Sequence, residues 1–249
     1  FRLGTGIRFE KVKTPIDEFK ILSNEVEEML HRNEVIYSSQ KQFIENASHE
    51  LQTPLAISIN KLELFAENNI LPEEQMMEIG KITDTLNRLV RMNKSLLMLS
   101  KIENQQFGDE EVVNFNELII QLTEDFSDLA EFKQVKISII ENAVLKFKMN
   151  RGLAGALINN LLKNALVHNH PEGFVEFSID ENSFSITNSG LNSPLNSDAI
   201  FNRFYRHTTT NESTGLGLSI VKSIINSYSI LISYSFKSNH SFKITFPKK

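Results

Sequence analysis

The sequence predicts an α + α/β protein. A long antiparallel helical hairpin, paired with a second copy as a dimeric four-helix bundle, is followed by a two-layer α/β sandwich. Three observations predict this. Apolar residues recur every seven positions at Leu22, Met29, Ile36 and Phe43, and then in steps of three and four from Met76 to Leu99. Asn68, Asn69 and Pro72 break the two patterns apart. After Phe107 the long period gives way to short alternating runs separated by turn residues and shorter helical stretches.

Composition narrows the function classes. The chain has 249 residues, 41% of them hydrophobic, which is globular composition. Lys+Arg 26 against Asp+Glu 31 gives a net charge of −5, with no basic stripe, so no nucleic-acid partner is expected. The absence of cysteine excludes disulfides and thiolate metal sites. His168 and His170, two apart, do not share a helix face and make a poor metal pair. No apolar run is long enough to span a bilayer. The chain opens at Phe1 rather than Met, so membrane attachment is expected only through a possible missing upstream segment.

In order along the chain, residues 1–15 lack a period and read as a linker. A helix is expected from Ile16 to about Glu67, on the order of 75 Å long at about 1.5 Å per residue. A second runs from Glu73 to about Glu103, with Gly108 shortly after. The first seam is imperfect, because Val26 is followed in its stripe by the polar Asn33 and Gln40. A lone hairpin leaves its stripe uncovered, so residues 16–105 are expected to form a homodimer. Residues 106–249 are expected to form one sandwich domain. It begins with an extended stretch at 112–115 and a helix capped by Asn116 that runs to about Phe132. Strands follow at 135–140 and 145–147, then an apolar helix over 151–168. A hairpin of 174–179 with 183–187, a helix over 216–228 and a hairpin of 230–236 with 241–246 complete it.

The first candidate site lies in F-I-E-N-A-S-H-E-L-Q-T-P-L-A-I, residues 43–57. At about 100° per residue Ala47 and Leu51 share a face, while His49 points to roughly the opposite one. A histidine held out of the core beside a carboxylate, here Glu50, is placed to act as nucleophile or base. Thr53 follows, and Pro54, lacking an N–H, loosens or bends the helix one turn past His49. Taken alone, such a histidine is more often a plain surface residue; the second half of the chain weighs against that reading.

Three stretches there carry chemistry. Asn160 and Asn164, four apart, lie on one helix face amid apolar neighbours, and an Asn carbonyl is a hard oxygen suited to Mg2+. Asn188-Ser189-Gly190 closes a strand. Thr214-Gly215-Leu216-Gly217-Leu218 opens a helix behind the polar run 207–213, which reads as a covering loop; bare amides and the positive helix end suit phosphate. Between the second and third stretches, I-F-N-R-F-Y-R offers Arg203 and Arg206 to phosphates, its aromatics being expected in the core. The pattern is neither a dinucleotide fingerprint nor a P-loop.

Together these stretches resemble the sensor histidine kinases of two-component signalling: histidine box, N box, first glycine box, F box and second glycine box, in that order, from about Phe43 to Phe246. The resemblance implies a helical dimerisation and phosphoacceptor domain followed by a catalytic ATP-binding sandwich. It implies ATP and Mg2+ as cofactors, a response-regulator partner and a cytoplasmic location. His49 would be the phosphoacceptor and Glu50 the general base. Thr53 would position water when the partner is dephosphorylated. Asn164 would bind Mg2+ and Asn160 support the phosphates. Gly215 and Gly217, flanked by Thr214 and Leu216, would sit at the triphosphate, with Asn188 and Gly190 at the adenine.

The chain departs from the family pattern at three places. Asn188 stands where an Asp usually meets the adenine amino group, so that hydrogen bond loses charge assistance. Asn192 replaces the last glycine of the same box. Val167 replaces a basic residue three past Asn164. A nucleotide-holding phosphatase that transfers poorly is the second reading. A related water-activating ATPase is the third, disfavoured because Lys163 rather than Glu precedes Asn164.

Overall fold

The computed structural model describes residues 17–104, 106–206 and 213–248. The expected linker at 1–15 and the covering loop at 207–213, Ser213 excepted, lie outside them.

Two helices build the hairpin: α1, Asp17–Asn68, and α2, Glu73–Glu103. α1 runs through Pro54 as one helix. Proline has no N–H to give the Glu50 carbonyl, one turn back. From Ser48 onward the better-covered residues of α1 are Ser48, Gln52, Leu55, Ile59, Leu62 and Ala66. Their three-and-four spacing marks the side toward α2, the helix against which α1 packs. The expected Ala47–Leu51 face is split, with Ala47 half-buried and Leu51 exposed. The heptad seam is bare on a single chain: Leu22, Met29, Ile36 and Phe43 are 55%, 66%, 65% and 72% exposed.

The sandwich is built from β1 (Glu111–Asn114), α3 (Phe115–Asp125), α4 (Ser127–Phe132), β2 (Lys136–Glu141), β3 (Lys146–Met149), α5 (Arg151–Val167), β4 (Phe174–Asp180), β5 (Ser183–Asn188), α6 (Gly217–Ser227), β6 (Leu231–Phe236) and β7 (His240–Thr245). Five strands form one sheet in the order β2-β4-β5-β7-β6. Only the β2–β4 pair is parallel, and β1 and β3 pair separately. Helices α3, α5 and α6 pack on the sheet's inner face, the second layer expected of a sandwich.

Alternation along the strands sets that face. Ile179, Phe184, Ile244 and Ile232 form one cross-strand row, and Phe177, Ile186, Phe242 and Tyr234 the next. The following row runs Val175, Asn188, His240, Phe236, so two polar side chains occupy buried positions at one end of an otherwise apolar layer. That end of the sheet is where the cavity forms.

Three local expectations are corrected. Asn116 is not the cap of α3: Asn114 is, its side chain accepting from Asn116 N–H at 3.2 Å. Asn116 is buried, donating to Glu141 and to the Ala143 carbonyl and accepting from Leu145 N–H. The helix does not run unbroken to Phe132 but ends at Asp125, and α4 follows. Phe204, expected in the core, is 54% exposed, while Phe201 and Tyr205 are half-buried.

The hairpin and the sandwich share packing. Leu99 and Ile102 near the end of α2 are 2% and 1% exposed and join the sandwich core, and α2 lies against α6. Glu103 pairs with Arg203. Tyr37 of α1 stands beside this pair; burial and the charge of Glu103 raise its pKa, and Arg203 opposes the rise.

Candidate functional site

The sheet's polar end, the C-terminal half of α5, the N-terminus of α6 and one face of α2 enclose a cavity of about 300 Å³. Each wall follows from local sequence. α5 starts where Asn150 caps it, its side chain accepting from Leu153 N–H at 3.1 Å. It buries Leu153, Leu157, Ile158, Leu161 and Leu162, and the helical period then turns Asn160, Lys163, Asn164 and Val167 toward the cavity.

The two asparagines differ. Asn160 donates to the Ala156 carbonyl at 2.7 Å, which fixes its amide, and its Oδ1 would lie 3.0 Å from a methyl group at Gly217. Among the described residues the Asn164 amide has no hydrogen-bond partner. A free hard carbonyl on the wall of a cavity suits Mg2+, which commonly takes one or two protein oxygens and fills its shell with substrate phosphate and water. Among the described residues no cluster of three His, Cys, Asp or Glu offers a closed metal cage.

Asn188 ends β5 at an inward position and is 4% exposed. Its Nδ2 donates to the Ser189 carbonyl at 2.7 Å, leaving Oδ1 as an acceptor on the cavity wall. Beside it His240 is held on both nitrogens: Tyr234 Oη lies 2.8 Å from Nδ1, and the Leu191 carbonyl 2.9 Å from Nε2. Tyr234 Oη also accepts from Leu195 N–H at 3.0 Å. This chain ties the loop after β5 to β6 and β7 and shapes the cavity floor.

At the other end α6 begins at Gly217 with no side-chain cap, so its first amides keep their donor capacity toward the cavity that Gly217 and Leu218 line. Gly215 has φ +73, and its carbonyl accepts from Phe204 N–H at 2.8 Å. Arg206 is on the wall too. Partial desolvation, and then the like charge of Arg88, lower its pKa from the ordinary value.

Of the residues singled out in the sequence, Asn160, Asn164, Asn188, Arg206, Thr214, Gly215 and Gly217 thus come together around one cavity. Gly190, Arg203 and Leu216 are not on its wall. Gly190 lets the chain pass the His168 carbonyl, which a methyl group would meet at 2.9 Å. Leu216 is fully buried, and Arg203 is engaged by Glu103. His49, Glu50 and Thr53 are exposed on α1 and do not line the cavity. Sequence reasoning missed Arg91, Lys94 and Ser95 of α2, and His240 and Phe242 of β7. The β7 pair was legible as inward positions of an alternating strand; the α2 residues carried no local signal.

Two family models match. Residues 39–105 match the His Kinase A (phospho-acceptor) domain, and residues 150–249 the histidine kinase-, DNA gyrase B- and HSP90-like ATPase. The heme sensor protein HssS of Staphylococcus haemolyticus is 27% identical over 242 residues, 93% of this chain and 52% of that protein. The sensor protein CutS of Streptomyces coelicolor is 31% identical over 225 residues, 86% of this chain and 54% of that protein. The chain therefore spans about half the length of the curated relatives it matches. Among solved structures, the Acinetobacter baumannii histidine kinase AdeS aligns with TM-score 0.56 at 24% identity, covering 80% of this chain and 96% of that one. Full-length ShkA, in complex with AMPPNP, aligns with TM-score 0.64 at 20% identity, over 83% of this chain and 45% of that one. These two likenesses bear on the fold. Among the described residues no helix is long and apolar enough to cross a membrane.

Proposed function

The chain belongs to the sensor histidine kinases of two-component signalling, and from that premise we propose that it phosphorylates itself on His49 at the expense of ATP and passes the phosphoryl group to an aspartate of a response regulator. The observation that carries this reading is the cavity itself. An inward Asn188 acceptor lies at one end, a free Asn164 carbonyl in the wall, and uncapped α6 amides at the other end, on the same chain as an exposed His49-Glu50 pair.

Adenine lies toward Asn188, whose Oδ1 accepts from the exocyclic amine. The phosphates lie along Thr214, Gly215 and Gly217 and meet the positive end of α6. Asn164 would hold Mg2+, which would supply neutralising charge to the phosphates. An imidazole nitrogen of His49 attacks the γ-phosphorus, the N–P bond forms as the bond to the β,γ-bridging oxygen breaks, and ADP leaves. Glu50 takes the imidazole proton. Transfer onward breaks the N–P bond and forms an acyl phosphate on the regulator, and Thr53 orients the water that later hydrolyses it.

The bare seam at Leu22, Met29, Ile36 and Phe43 supports pairing with a second copy through a hairpin domain of residues 16–105. Residues 106–249 form the catalytic domain. ATP and a receiver-domain partner are both found in the cytoplasm, which is where this reading puts the reaction.

Purified protein incubated with γ-labelled ATP and Mg2+, beside His49→Ala, tests the reading. Label that is acid-labile and base-stable in the parent and absent from the variant is expected. ATP binding without label in the parent moves the reading to a phosphatase that holds nucleotide without transferring.

A further inference from the structure

Arg91, Lys94 and Ser95 follow one another at helical spacing on α2 and all three line the cavity, across from Asn160, Asn164 and Val167 of α5. One turn earlier, Arg88 is close enough to Arg206 to lower its pKa. The charge balance of this wall is lopsided. Among the described residues, Arg91, Lys94 and Arg206 line it and no Asp or Glu does, although the chain as a whole carries −5. Among the described residues no carboxylate pairs with Arg88, Arg91, Lys94 or Arg206. Like charges gathered around a concave site without counter-charge repel one another, and a polyanion seated among them removes that repulsion.

We propose that Arg91 and Lys94 of the helical hairpin are polyphosphate-binding residues of the nucleotide site, so that a bound triphosphate bridges the hairpin and the sandwich. This rests on the reading of the cavity as an ATP site and extends it to residues outside the ATPase domain. The site is incomplete without α2. The terminal phosphates, which carry most of the negative charge, are drawn to the exposed face of α2 that lines the cavity. Nucleotide occupancy and domain docking are then one linked equilibrium: whatever pulls α2 away from the sandwich weakens ATP, and ATP holds α2 in place.

The test is a titration of the full chain with ATP, ADP and adenosine in the presence of Mg2+, comparing the parent with Arg91→Gln/Lys94→Gln. Both side chains are exposed on a helix surface, and an unchanged melting curve verifies the fold of the variant. ATP affinity is expected to fall at least tenfold, ADP affinity less, and adenosine affinity by under twofold. Arg91→Lys, which keeps the charge, is expected to retain most of the ATP affinity. ATP affinity within twofold of the parent overturns the proposal, and so does an equal loss for all three ligands, the mark of a structural effect. A parent chain that binds neither ATP nor adenosine overturns the nucleotide reading itself, a different failure.

Discussion

Asn93 of α2 donates through Nδ2 to the backbone carbonyl of Ser48 on α1, 2.6 Å away, and both residues are buried. The bond sets the height of the next residue, His49, along the hairpin. Arg91, Lys94 and Ser95, all within two residues of Asn93, line the cavity. The histidine and the cationic wall therefore sit at one level of the hairpin, held there by one buried amide.

Asn93→Ala removes that donor and leaves a small void. A lost buried hydrogen bond of this kind costs about 1–3 kcal/mol. The melting temperature is expected to drop accordingly, and labelling of His49 to fall more than ATP affinity does. Equal labelling rates in parent and variant, at matched ATP occupancy, would show that the Asn93 bond does not position His49.

Part of this arrangement was legible in the sequence. The helix ends of the hairpin followed from apolar steps of three and four broken by Asn69 and Pro72. Asn188-Ser189-Gly190 reads as the close of a strand, and the family resemblance puts Asn188 at the adenine. Other features depend on distant partners. Asn114 and Asn116 are equally good caps locally, and only the tertiary bonds of Asn116 to Ala143 and Leu145 decide between them. Phe204 reads as a core aromatic, but its positive φ and its pairing with Gly215 turn it outward. Arg91 and Lys94 look like ordinary solvated helix charges until the sandwich is packed against them.

Glu103 and Arg203 join the two domains at the end of α2, and neither side chain is deeply buried. Such a pair is worth about 0–1 kcal/mol, so Glu103→Gln is expected to leave the melting curve almost unmoved. Its effect falls on docking. With α2 less firmly held, ATP affinity is expected to drop by about two- to fivefold, the ratio that corresponds to up to about 1 kcal/mol. The charge exchange Glu103→Arg/Arg203→Glu is expected to restore it. An exchange that binds ATP no better than Glu103→Gln would argue against docking through this pair.

Asn188→Ala acts on the base rather than the phosphates. It deletes the acceptor assigned to adenine and strips the Ser189 carbonyl of its 2.7 Å donor. ATP, ADP and adenosine are expected to weaken by a similar factor, about tenfold for one lost hydrogen bond with its unpaired partner. That pattern is the reverse of the phosphate-graded loss expected on α2. Titration of the three ligands against both variants separates the two ends of the cavity.

Gly215→Ala meets two obstacles at once. The residue has φ +73, a region costing an L side chain about 1–2 kcal/mol. A methyl group there would lie 2.8 Å from the Phe204 carbonyl carbon and 2.9 Å from its Cα, both backbone atoms that cannot swing aside. The bond from Phe204 N–H to the Gly215 carbonyl has to break or the loop has to shift, and either moves Thr214 and the start of α6 away from the cavity. The core row at Ile179, Phe184 and Ile244 is not on the cavity wall, so circular dichroism is expected to show a folded protein. ATP affinity is expected to fall more than tenfold, and His49 labelling with it. Retention of parental ATP affinity would mean that the turn at Gly215 does not hold the phosphates.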